Sequence, residues 1–443
     1  MHEVIIVTDL GPGDGGKGNI VHTLSYEKDA SVIIKRGGAQ GSHGVRTSNG
    51  DSFNFSEWGC GTFEGVPTFL SEQIIISPVS LENEAEALKQ HDIANPFLML
   101  QANPNCLCAT PYHRIASELE EIKRRDNPRG TVGTGVGQAY RMYQNLGEEY
   151  VIEASELSSK EIILKKLKRE LEYYRQLYRN LKPEDVLKPE DVLKDDVNCL
   201  EDNLALLDDP DFLPYIVDLF FNIGRKLRLT TLKEVLKPDG TAIVECSHGV
   251  LTDAETGLKP HVSAIRTLPI FSEQMIRNAG FDGEISHLAV HRAYEIRHGA
   301  GPMPTFDENF TRTMLPDSHK SNNRWQGKVR AGPLDFSLMR YALESCRETK
   351  FRGIYLTWFD EIVRKKQGFK YSTGYQNSPK DNESYTDFLK NAIPIIESEQ
   401  IPENISSQEL FLRVGGIIKK ECGLELECLS IGPTEVEKIY FEK

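Results

Sequence analysis

The chain has 443 residues, 39% of them hydrophobic and 27% charged, and a formal net charge of -14. That length buries a large core, and the acidic balance argues against a protein that coats nucleic acid. No run reaches the roughly 18 apolar residues of a membrane span. Met1-His2-Glu3-Val4 enters an apolar strand with no basic segment, so no secretory signal is expected. The eight cysteines, including Cys106 and Cys108 and the pair Cys422 and Cys428, form no paired CxxC pattern. This disfavours zinc and fits unpaired thiols in a reducing cytosol.

Val4 to Val7 (VIIV) reads as a strand buried in a parallel sheet. A glycine-rich stretch follows, then a helix start over Asn19 to Ser25. Val32 to Ile34 and Gln73 to Ile76 read as strands, and Leu81 to Gln90 and Arg114 to Arg125 as helices. Ser158 to Asn180, dense in Lys, Glu, Leu and Tyr, predicts a helix. Two LKPEDV copies, Leu181 to Val186 and Leu187 to Val192, read as a duplicated surface linker. Asp211 to Leu229 resumes a helical pattern. Thr241 to Glu245 and Gly353 to Thr357 are buried strands, and Gln367 to Ser378 reads as an exposed loop. Leu410 to Leu429 predicts a helix and a short strand. The alternation predicts an α/β fold with a mainly parallel central sheet flanked by helices.

Three glycine-rich stretches carry the chemistry. Gly11 to Gly18 holds five glycines in eight residues between a strand and a helix, a P-loop-like anion cradle from which Lys17 reaches phosphates. It lacks the Walker spacing, because Asn19 stands two residues after the lysine. Lys35 to Gly44 (KRGGAQGSHG) ends a second strand and brings His43, a proton or hydrogen-bond donor for developing phosphate charge. Gly130 to Gly137 (GTVGTGVG) offers hydroxyls and N–H groups suited to a monophosphate.

In this order, with later segments, these stretches resemble adenylosuccinate synthetase. GDGGKGN at Gly13 to Asn19 is similar to that family's GDEGKGK, GGAQGSHG to GGxNAGHT, and GTVGTGVGQA at Gly130 to Ala139 to GTTGxGxGPA. The resemblance continues through ECSHG at Glu245 to Gly249, PHVS at Pro260 to Ser263 and IRHGAGPMPTF at Ile296 to Phe306. It closes with RWQGKVRAGPLD at Arg324 to Asp335, TWFD at Thr357 to Asp360 and SIGP at Ser430 to Pro433. It implies one domain over residues 1–443 with a helical insertion at about 155–240.

The resemblance implies a GTP-dependent ligase that joins L-aspartate to the 6-oxo carbon of IMP through a 6-phosphoryl intermediate. Asp14 matches the catalytic base and Mg2+ ligand, His43 the general acid, and the Ser42 backbone a second metal contact. Gly13, Gly15, Gly16, Lys17, Gly18 and Asn19 would hold the triphosphate, with Thr357, Asp360, Ser430 and Gly432 at its guanine. Gln40, Thr131, Gly133 and Ser263 would hold the purine monophosphate, and Arg330 would bridge substrate and nucleotide. The expected setting is a cytoplasmic homodimer acting on small molecules, with neither nucleic acid nor membrane as partner.

Several positions depart from the family pattern. His248 replaces the glutamine at the 6-oxygen and, if protonated, would donate to it more strongly. The aspartate loop reads Arg324-Trp325-Gln326-Gly327-Lys328, and a lysine lacks the planar fork that grips a carboxylate, which opens the choice of amine. Trp358 stands where the family has lysine, either stacking on a base or filling the core. The arginine that relatives send across a dimer falls near Leu146, which leaves that contact either absent or supplied by Arg141. Three alternatives follow: dGMP in place of IMP, as in phage relatives that resemble this chain in DLxxGxxGKG; ATP or another amine as co-substrate; and a silent nucleotide-binding regulator. The retained Asp14 favours a hypoxanthine base, and with Lys17 and His43 it argues for catalysis.

Overall fold

A computed structural model describes residues 2–124, 129–182, 194–237, 239–316 and 325–441. In chain order its strands begin with β1 (Glu3–Asp9), β2 (Ala30–Gly38), β3 (His43–Arg46), β4 (Ser52–Phe55), β5 (Thr68–Ile76) and β6 (Leu100–Ala102). Next come β7 (Leu107–Cys108), β8 (Arg228–Leu229), β9 (Thr241–Gly249), β10 (Glu284–Arg292), β11 (Tyr294–Arg297) and β12 (Arg330–Asp335). The last are β13 (Phe351–Thr357), β14 (Phe369–Tyr375), β15 (Pro394–Glu399), β16 (Leu426–Ser430) and β17 (Lys438–Tyr440).

Eleven of these strands make one sheet in the order β17-β16-β13-β10-β1-β9-β2-β5-β6-β8, with β7 on β5. β1 sits in the middle, parallel to β10 on one side and β9 on the other. Val4 and Ile5 are fully buried although they face opposite sides of the sheet. Helices on both faces therefore cover β1, which is why its sequence is continuously apolar. The β16–β17 pair at one edge runs antiparallel. A four-stranded sheet, β11-β12-β14-β15, and the β3-β4 pair stand apart from it.

The helices lie close to their expected spans. Lys17–Glu27 starts two residues before the predicted Asn19, and Ser77 and Ser159 cap Pro78–Lys89 and Lys160–Tyr178 through their side chains. Helices Lys160–Tyr178, Lys194–Asp208 and Phe212–Gly224 occupy most of the span from 155 to 240. Ile163, Leu167, Ile216 and Phe220 from them join the same buried cluster as Ile5 and Val7. All of the LKPEDV repeat beyond Leu181 and Lys182 lies outside the described residues.

Two readings need correction. Gln367 to Ser378 is not an exposed loop: it contains β14, antiparallel to β15, with Phe369 and Tyr371 buried on one side. Their period of two was masked by the polar residues between them. The helix expected over Asp211 to Leu229 ends at Gly224, and Arg228–Leu229 pairs with β6 instead.

Because the central strands are parallel, their carboxyl ends share one edge. Asp9, Gly38, Gly249, Arg292 and Thr357 close β1, β2, β9, β10 and β13 there. In open α/β sheets this edge is the ligand-binding side.

Candidate active site

The glycine loop after β1 is organised by a buried carboxylate. Asp9 accepts from the Gly11 N–H at 2.8 Å, the Gly15 N–H at 2.9 Å and Lys17 Nζ at 2.8 Å. Gly16, at φ 86, caps the following helix. A Cβ there would stand 2.6 Å from Thr357 Oγ1, and that hydroxyl donates to the Gly15 carbonyl at 2.7 Å. The loop is thus pinned to the end of β13, and only glycine fits at position 16. Lys17, expected to reach phosphates, is 2% exposed and paired with Asp9, although it borders the cavity described below. Burial works against its charge, but Asp9 outweighs burial and raises its pKa.

Asp14 projects from the loop at φ 58, with Oδ2 3.0 Å from His298 Nε2. The cavity walls crowd it and work to raise its pKa, although 45% of its side chain stays open to solvent. His298, Arg292 and Lys17 overcome this and hold the carboxyl well below its usual range.

His43 Nδ1 lies 2.6 Å from Glu245 Oε1. Glu245 also takes Lys35 Nζ at 2.8 Å on Oε1 and the Cys60 N–H at 2.9 Å on Oε2. Burial favours the neutral acid there, but Lys35 and His43 prevail and keep Glu245 ionised. An ionised carboxylate only accepts, so the His43 Nδ1–H donates to it. Burial, with help from Lys17 and Lys35, lowers the His43 pKa despite Glu245. The resting imidazole is therefore neutral, with Nε2 bare. The donor atoms of His43, Cys60 and Glu245 lie within 4.8 Å of one another. The Lys35 ammonium already occupies that carboxylate and repels a cation, so the cluster orients His43 instead of binding metal.

Two cavities open on this edge. The larger, about 1490 Å³, is lined by Gly16, Lys17, Gly18, Asn19, Thr357, Asp360, Ser430 and Gly432. The smaller, about 420 Å³, is lined by Gly13, Gln40, Thr131, Arg141, His248, Ser263 and Gln326. Asp14, Ser42, His43 and His298 line both. Most residues expected at the triphosphate and at the monophosphate thus fall into two adjoining spaces that meet at Asp14 and His43; Gly13, expected at the triphosphate, lines the smaller one instead. Asn19 Nδ2 donates to the Pro433 carbonyl at 2.6 Å, which ties the loop helix to the segment after β16.

Other expected residues stand back from the cavities. Gly15 packs on Asp9, and Gly133 on Trp325, each leaving no room for a Cβ without a shift. Arg330, expected between substrate and nucleotide, lines neither cavity; its Nη2 donates to the carbonyls of Gly299 at 2.8 Å and Gly301 at 2.9 Å. Gly327 and Lys328 are exposed, and Arg324 lies outside the described residues. His248 rests in its neutral form, so the stronger donation by a protonated ring does not apply to it. Its Nε2 is 2.9 Å from Gln40 Nε2, and burial, then Lys17 and His43, push its pKa down to about 3. All eight cysteines are free.

Asp9, Glu245 and His298 were not assigned from sequence. Glu245 had a signal, a carboxylate ending the apolar run TAIV. His298 had none, because nothing local says that residue 298 faces residue 14.

A glycine loop at the end of a central parallel strand, opening onto two adjoining cavities, defines a phosphate-binding α/β protein. A family model for adenylosuccinate synthetase matches residues 6–406. The chain belongs to the adenylosuccinate synthetase family, ligases that form a carbon–nitrogen bond. Adenylosuccinate synthetase of Caldanaerobacter subterraneus subsp. tengcongensis is 25% identical over 455 residues, covering 98% of both chains. That of Francisella tularensis subsp. mediasiatica is 24% identical, covering 99% of this chain and 98% of the other. The fold matches fully ligated adenylosuccinate synthetase from Plasmodium falciparum with a TM-score of 0.79, at 17% identity, covering 99% of this chain and 100% of the other. It also matches cyanophage S-2L succinoaminodeoxyadenylate synthetase (PurZ), bound to dGMP and dATP, with a TM-score of 0.57. That match has 13% identity and covers 100% of this chain and 96% of the other. No described helix is long and apolar enough to cross a membrane.

Proposed function

We propose that this protein uses GTP to join L-aspartate to C6 of a 6-oxopurine nucleotide, with IMP as the purine. The observation that carries this reading is the junction of the two cavities at Asp14, Ser42, His43 and His298. A triphosphate in the larger space and a purine monophosphate in the smaller would bring a γ-phosphate and a 6-oxygen together there.

In this reading Asp14 accepts the N1 proton, and the 6-oxygen attacks the γ-phosphorus as GDP leaves. Negative charge arriving beside His43, with Glu245 behind it, favours a second proton on the imidazole. His43 Nε2 then donates to the transferring phosphoryl group. Next the aspartate amine attacks C6, the C6–O bond breaks, and inorganic phosphate departs with the oxygen. His248, neutral and beside Gln40, offers one ring N–H to the purine. Positioning and charge neutralisation dominate such chemistry. The Asp14 carboxylate and the Ser42 carbonyl are hard oxygen donors that fit Mg2+, which, when bound, neutralises phosphate charge.

The test is incubation with GTP or ATP, Mg2+, IMP or dGMP, and a panel of amino acids, read by mass spectrometry. The expected product is the IMP–aspartate adduct less one water. An adduct with dGMP alone would move the purine assignment. Phosphate release with no purine adduct for any pair would overturn the ligase reading.

A further inference from the structure

Arg292 ends β10 at the same sheet edge as the phosphate loop. Its side chain is 1% exposed and borders the larger cavity. The guanidinium lies between two rings, with Cζ 3.7 Å from the Trp358 ring centroid and 4.8 Å from that of Tyr294. Stacking satisfies its faces. Its edge is another matter: among the described residues Nε, Nη1 and Nη2 make no hydrogen bond of ordinary geometry, the Tyr294 hydroxyl being the nearest polar neighbour that acts on the guanidinium. Buried donors left unmade are costly, and such a group in a native fold points to an acceptor supplied from outside the chain.

Two further observations agree. Trp358, the aromatic cover, sits at φ 60, a left-handed conformation that a bulky residue adopts only where the surroundings impose it. Meanwhile Lys17, the cation of the glycine loop, is committed to Asp9.

We propose that Arg292 is a triphosphate-binding residue of the larger cavity, whose N–H fork takes β- or γ-phosphate oxygens once the Trp358 indole slides off it. This rests on the nucleotide-dependent ligase reading above. A planar fork pairs two phosphate oxygens at once, and stacking on Tyr294 holds it in orientation beforehand. Arg292 thereby supplies the positive charge that Lys17 spends on the loop.

The test compares wild type, R292M, R292K and W358F in titrations with GTP, GDP, GMP and IMP, by calorimetry and tryptophan fluorescence. R292M should lose at least tenfold in GTP affinity, with GMP and IMP affinities within twofold of wild type. Addition of GTP should change wild-type emission, and W358F should lack that change. If R292M fails to fold, R292K carries the test: it keeps the charge without the fork and should still lose at least threefold for GTP relative to GMP. Equal affinities in wild type and variant, or equal losses for GTP and GMP, overturn the proposal. A wild-type protein that binds neither GTP nor ATP would instead sink the ligase reading.

Discussion

At the residue scale the site depends on carboxylates that neighbouring cations hold in the charged form. Asp14 is kept ionised by His298, Arg292 and Lys17, so at neutral pH it offers bare carboxylate oxygens, while the same cations weaken it as a proton acceptor. Asp14→Asn preserves shape and removes the base. Turnover should fall to background while GTP affinity, by calorimetry, stays within a few-fold; unchanged turnover removes Asp14 from the chemistry. Glu245 holds three donors, Lys35, His43 and the Cys60 N–H. Glu245→Gln leaves the Lys35 ammonium buried without its counter-ion, which should cost about 3–5 kcal/mol in denaturant unfolding. It should also lower kcat by roughly 10²–10⁴, because His43 loses the negative charge that favours its protonated, proton-donating form. A variant as stable and active as wild type would contradict this network.

At the element scale, short glycine turns between long buried strands and helices determine where the cavities lie. Gly135, at φ 85, caps the helix Val136–Leu146 beside the smaller cavity. A Cβ there would stand 2.5 Å from the Arg114 amide nitrogen, a backbone atom that cannot move aside cheaply. Gly135→Ala should therefore displace the Thr131 loop and weaken IMP binding at least tenfold. GTP binding at the Gly11 to Gly18 loop should change little. Calorimetry with each nucleotide separately checks this, and parallel losses for both would show that the two loops are not independent. The same logic explains β14. The polar residues of its stretch suggest a loop, but Phe369 and Tyr371 bury on one side and pair the strand with β15.

At the scale of the whole molecule, the large core traps acids whose neutral forms stabilise it. Burial pushes Glu170 up to about 8, in spite of a hydrogen bond from Thr110 Oγ1 at 2.6 Å, and Glu57 also to about 8. Between the ordinary carboxylate pKa and these values, the folded state binds protons that the unfolded chain has lost. Stability therefore falls as pH rises through that window. For one group shifted this far the effect is on the order of 5 kcal/mol. Glu170→Gln removes the Glu170 share, so its Tm should decline less than that of wild type from pH 5 to pH 8.5. Parallel declines would show that Glu170 is not a buried neutral acid.

The sequence by itself determined the parallel α/β architecture, the phosphate loop and the family, because apolar runs and glycine spacing act through near neighbours. It also supplied Asp14, His43, Gln40, Thr131, Asp360 and Ser430, which ordered motifs make readable one at a time. Tertiary structure alone decided how those residues divide between two cavities, and that Lys17 faces Asp9 and Arg330 faces the Gly299 and Gly301 carbonyls. It alone set His298 against Asp14 and Arg292 beneath Trp358. These pairings join residues from different strand ends, and only the closing of the sheet brings their charges near enough to act on one another.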